Sequence, residues 1–129
     1  MNDKGLAKLG DALVNLFYSL GKSLATGSLA GEKVRDDVLA KAIRSTAAYR
    51  HLRRRTDMGA AGDAYEAIVA FLWLNGEISI EEAAEFLSKQ LELDKKTSRK
   101  KEADTATKAF KAFLEILIPK ITSILSRDA

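Results

Sequence analysis

Apolar residues recur at three- and four-residue intervals along most of the chain. Leu6, Leu9, Leu13, Leu16, Phe17 and Leu20 keep that spacing and predict an amphipathic helix from about Gly5 to Leu24. Thr26-Gly27-Ser28 and Gly31 interrupt it. Val34, Val38, Leu39 and Ile43 predict a second helix that ends near Thr46 or bends onward through Tyr49 and Leu52. From Gly62 to Leu74 the pattern changes. Ile68, Val69, Phe71, Leu72, Trp73 and Leu74 cover the whole circumference, so this third helix belongs in the middle of a domain. Asn75-Gly76 is a stop signal for it. Ser79-Ile80-Glu81-Glu82 has the form of a capping box and opens a fourth helix to about Leu91. The polar stretch from Glu92 to Lys101 reads as a linker or a fraying helix end. A last helix carries Ala106, Phe110, Phe113, Leu114, Leu117, Ile121, Ile124 and Leu125, and Pro119 is expected to kink or restart it. The expected fold is all-α, a single compact domain of five or six helices over residues 1–129.

Composition narrows the chemistry. A chain of 129 residues with 47% hydrophobic content can build one real core and is too apolar to be disordered. It has no cysteine, which excludes disulfides and thiolate zinc sites, and its one histidine excludes a histidine-rich metal site. A metal would therefore be held by carboxylates, which select a hard ion such as Mg²⁺ or Mn²⁺. The start, Met1-Asn2-Asp3-Lys4, lacks the apolar core of a signal peptide, and no apolar run reaches membrane-spanning length. A cytoplasmic, soluble protein is expected.

The net charge of +3 says little about partners, but the cations are clustered. Arg50, Arg53, Arg54 and Arg55 crowd one short segment, dense enough to contact phosphates as well as to form a solvated face. The run from Lys95 to Lys101 reads as a wet linker, and His51 as a bystander. Phe71 and Trp73 read as core.

The acids are more telling. Glu66 is the only charged residue between Ala64 and Leu74. An acid on an otherwise apolar helix needs compensation, because an unpaired buried charge is costly. Asp63 lies one turn before it on the same face, a spacing that suits a divalent ion. The plainer readings are a first-turn acid favoured by the helix dipole for Asp63, and an ion pair with the arginine cluster for Glu66. Asp11 lies opposite Leu9, Leu13 and Leu20 on a helical wheel, so periodicity alone makes it a solvated acid near Lys8.

Taken together, Leu9-Gly10-Asp11-Ala12, Asp63-Ala64-Tyr65-Glu66-Ala67 and Leu74-Asn75-Gly76 resemble the two acidic helices of the ribonuclease III catalytic domain. The segment Lys33 to Ala40 sits where that family has a further interior helix. The resemblance covers roughly residues 1–91, with residues 100–127 left as a C-terminal helix. It implies a minimal member without a double-stranded-RNA-binding domain. It also implies cleavage of structured or double-stranded RNA with Mg²⁺ or Mn²⁺, by a homodimer. Asp11, Asp63 and Glu66 would be the catalytic metal ligands, and Arg50, Arg53, Arg54 and Arg55 would hold the RNA backbone. The chain departs from the family where Ala7 replaces a glutamate four residues before the aspartate. Lys4 replaces another glutamate, and Lys8 an aromatic dimer plug. The competing expectations are a non-catalytic RNA-binding relative and a purely structural helical dimer.

Overall fold

The computed structural model describes residues 4–46, 61–94 and 96–128, with side chains as far as Ile124. Among these residues there are five helices and no strand: α1 (Lys4–Thr26), α2 (Asp36–Arg44), α3 (Ala61–Leu74), α4 (Ile80–Gln90) and α5 (Arg99–Asp128). The all-α expectation holds, and the helix ends fall within a few residues of those read from the pattern.

The circumferentially apolar helix takes the central place. Tyr65 to Ala70 and Leu72 of α3 are buried. Helix α1 packs on α3 and α4, α2 packs on α3 and α5, and α4 also touches α5. Aromatic rings join these layers. Phe17 meets Phe113 edge-on at 6.2 Å, and Tyr65 meets Phe110 edge-on at 5.8 Å. Such pairs contribute about 0.5–1.5 kcal/mol beyond their burial. The buried Tyr65 hydroxyl donates to the Phe110 carbonyl, so the ring's polar tip is not left unsatisfied.

Local signals set the ends of α3 and α4. Gly76 has φ +72°, the Glu77 N–H bonds the Leu72 carbonyl at 2.9 Å, and the Gly76 N–H bonds that of Trp73 at 3.0 Å. This is a Schellman stop, and glycine adopts its left-handed residue without steric cost. Ser79 caps α4 by accepting the Glu82 N–H at 3.1 Å, with the Glu82 carboxylate returning to the Ser79 hydroxyl. Pro119 neither ends nor restarts α5, which runs through it. The carbonyl that loses its partner is that of Glu115, and both Glu115 and Pro119 are exposed, so water can replace the missing N–H.

On α1 the leucine stripe is only partly interior. Gly10, Leu13, Val14, Phe17, Tyr18 and Gly21 are buried, whereas Leu16, Leu20 and Leu24 are 41%, 39% and 63% exposed. Two apolar stripes overlap on this helix. The one with the large rings and the glycine that permits close approach is seated inward.

The segment leaving α1 doubles back along it in regular register. The N–H groups of Ala30, Glu32 and Val34 donate to Ser23 Oγ (2.9 Å), Ser19 Oγ (3.0 Å) and Asn15 Oδ1 (2.7 Å). Four helical residues rise roughly 6 Å. Two residues of extended chain advance roughly 6.6 Å. The two repeats nearly match, so polar residues one turn apart capture every second N–H of an antiparallel strap. That strap delivers the chain to the start of α2.

Candidate active site

The site begins where α1 crosses α3. A Cβ built on Gly10 would lie 1.8 Å from the Glu66 carbonyl oxygen and 2.8 Å from its Cα. Only glycine permits this approach, and the next residue on α1 is Asp11. Its carboxylate comes within hydrogen-bonding reach of the Glu66 carboxyl. Asp11 is half-buried and also accepts from Asn15 Nδ2 at 3.3 Å, so it is not the solvated acid that periodicity suggested.

Two further acids stand nearby. Asp63 is exposed one turn before Glu66 on α3, and Asp36 opens α2. The two helix starts lie together: a Cβ on Gly62 would be 3.6 Å from the Asp36 carbonyl oxygen. A groove of about 370 Å³ runs between α2 and α3, lined by Asp36, Asp63 and Glu66, with Lys41 and Arg44 on its α2 wall. Glu66 is 8% exposed. Burial first, then the hydrogen bond shared with Asp11 and the charges of Asp11, Asp63 and Asp36, push its carboxyl from 4.5 up to about 8. At neutral pH the protonated form of Glu66 is therefore favoured.

The structure thus brings two of the three sequence-predicted acids, Asp11 and Glu66, into contact. Asp63 reaches Glu66 through its charge. Among the described residues, no three acidic or imidazole side chains stand close enough together to hold one ion. The predicted three-ligand grip is not assembled in this conformation. The donor set still suits a hard cation, since it is all oxygen. Arg50, Arg53, Arg54 and Arg55 lie outside the described residues, as does His51. Ala7, half-buried one turn before Asp11, brings no carboxylate to the pair.

Sequence reasoning missed Asp36, Asn15, Lys41 and Arg44. For Asp36 and Asn15 the polar type was visible, but nothing local indicated that a strap would carry one to the site or that the other would bridge strap and site. No described helix is long and apolar enough to cross a membrane.

No curated protein matches the chain at a significant level. A family model described as ribonuclease III matches residues 4–123. The match extends past the first ninety residues into α5, the helix whose Phe110 and Phe113 pack against α3 and α1. With Gly10-Asp11 crossed over Glu66 and nearly the whole chain matched, the protein belongs to the ribonuclease III family.

Proposed function

We propose that this chain is a metal-dependent endoribonuclease that cuts structured or double-stranded RNA. The observation that carries the reading is the Asp11–Glu66 carboxyl pair, with Asp36 and Asp63 beside it, at the mouth of a groove that Lys41 and Arg44 also line. Membership of the ribonuclease III family points to RNA as the substrate. Asp11, Asp63 and Glu66 are the proposed catalytic carboxylates, with Asp36 as a fourth oxygen donor. When bound among them, Mg²⁺ or Mn²⁺ supplies the positive charge that activates water and stabilises the leaving oxygen of a phosphodiester. The chain's own part is geometric and electrostatic. Gly10 sets Asp11 against Glu66, and Glu66 holds its proton until a cation or a higher pH removes it. Lys41 and Arg44 lie where a phosphate backbone would pass. The family also implies a homodimer, and the exposed Leu16, Leu20 and Leu24 offer an apolar face for it.

Two observations favour a second reading, a non-catalytic RNA-binding relative. Ala7 takes the place of an expected acid, and no three-acid cluster is assembled among the described residues. A cleavage assay on generic duplex RNA with Mn²⁺, Mg²⁺ or chelator separates the two. Cutting that needs the ion and is lost in Asp63→Asn and Glu66→Gln is the expected result. Salt-sensitive duplex binding without cutting would establish the second reading. No binding at physiological salt would leave a structural helical protein.

A further inference from the structure

Asn15 makes two bonds that no other side chain of the ladder makes together. Its Oδ1 accepts the Val34 N–H of the strap at 2.7 Å, and its Nδ2 donates to Asp11 Oδ1 at 3.3 Å. The assignment of the amide follows from chemistry. A backbone N–H can only donate, so the amide oxygen must face Val34, and the amide nitrogen is left pointing at the carboxylate. The other two rungs end differently. Ser23 Oγ turns its hydrogen to the Ser19 carbonyl of its own helix at 2.8 Å, and Ser19 Oγ turns its hydrogen back to the Glu32 carbonyl at 3.0 Å. Neither touches an acid. Asn15 is the rung at which the ladder meets the site.

The consequence is a mechanical link between two acids that arrive from different elements. Asp11 belongs to α1. Asp36 follows Val34 by two residues and begins α2 at the mouth of the groove. The protonated Glu66 carboxyl holds Asp11 from one side, and the Asn15 amide adds a second contact that restricts rotation of the Asp11 carboxylate. The same amide anchors the strap just ahead of Asp36. We propose that Asn15 is a positioning residue for the carboxylate site: it orients Asp11 and at the same time holds the strap that presents Asp36. This role rests on the nuclease reading above.

The test uses the full chain and two readouts: Mn²⁺ affinity by titration calorimetry, and kcat and KM on a generic RNA duplex. Asn15→Ala is expected to weaken Mn²⁺ binding and lower kcat by about tenfold, the range seen when an outer partner of a ligating group is removed, with KM for RNA unchanged. Ser19→Ala cuts a neighbouring rung without touching Asp11 and is expected to leave both readouts at the wild-type value. The deciding comparison is a cycle with Asp11→Asn. If Asn15 acts through Asp11, the Asn15→Ala loss of Mn²⁺ affinity largely disappears in the Asp11→Asn background. An equal loss in both backgrounds, or a loss in Ser19→Ala as large as in Asn15→Ala, would overturn the positioning role and leave the nuclease reading standing. Asn15→Ser stands in where the alanine variant does not fold. A wild-type chain that neither binds Mn²⁺ nor cuts RNA would overturn the nuclease reading, and this role with it.

Discussion

Two carboxyl groups packed against the same helix have opposite surroundings. Glu66 of α3 meets α1 at Asp11. Glu102 of α5 meets it two turns later, where the Tyr18 hydroxyl and Lys22 Nζ both donate to it, the lysine at 3.0 Å. Lys22 also pairs with Glu32 of the strap. Burial pushes Glu102 up, but the hydrogen bonds from Tyr18 and Lys22 outweigh it and hold the group below the usual carboxylate range. Lys22 is correspondingly raised: the bonds to Glu32 and Glu102 outweigh the lowering by burial. Glu66 has burial and three carboxylates acting in the same direction. The compensated acid ties α1, α5 and the strap together. The uncompensated one is left in its protonated form at neutral pH.

The largest effect should come from the crossing that creates the contrast. Gly10→Ala sets a methyl group against the Glu66 backbone, which no side-chain rotation relieves. It should cost about 3 kcal/mol or more in urea unfolding. A loss near zero would mean that α1 does not seat on α3 as described.

Neutralising each acid should then give opposite signs. Glu102→Gln removes one of the two carboxylates that bind the half-buried Lys22, together with the acceptor of the Tyr18 hydroxyl, and should destabilise by about 1–3 kcal/mol at pH 7. Glu66→Gln removes a group that repels its neighbours once ionised, so at pH 9 it should be neutral or stabilising by roughly 1 kcal/mol. Two losses of equal size would erase the distinction.

The same difference governs pH. The native state holds the Glu66 proton up to about pH 8, while the unfolded chain releases it near 4.5. Between these values the native state binds more protons, so stability falls as pH rises, by on the order of 1–3 kcal/mol from pH 5 to 8. Glu66→Gln should flatten that slope in thermal melts. For Glu102 the native pKa is lowered, so its contribution is present above the unfolded value and lost as pH falls through the native one.

A divalent ion sharpens the contrast on one side only. Mn²⁺ at about 100 times its Kd should add about 2.7 kcal/mol, raise the melting temperature, and act more strongly at pH 8 than at pH 6, where protons compete. Glu66→Gln should abolish the shift and Glu102→Gln should leave it. The smallest effect belongs to the outer face of α1. Leu20→Glu should change monomer stability by no more than about 0.5 kcal/mol. Sedimentation of the same variant tests whether that face holds two copies together: a dimer that survives the substitution would place the contact elsewhere.

Much of this protein is decided by short stretches of sequence. The helices, the Schellman stop at Gly76 and the cap at Ser79 depend on neighbours within one turn, so propensity and spacing suffice to find them. Glu66 was legible for the same reason, as a lone acid on an apolar helix. That Leu16 and Leu20 would lie outside while Leu13 and Phe17 of the same stripe lie inside was not, because all four satisfy the helical period and the packing of α1 on α3 and α4 chooses between them. Local pattern left open whether Pro119 would kink its helix or restart it, and the helix continues through it. The pairing of Asp11 with Glu66, the arrival of Asp36 beside Glu66 and the bond from the Val34 N–H to Asn15 join residues 19 to 55 positions apart. Such contacts have no signature in local periodicity. They exist because α1, the strap and α3 pack in one particular arrangement, and that arrangement sets the charge state of the site.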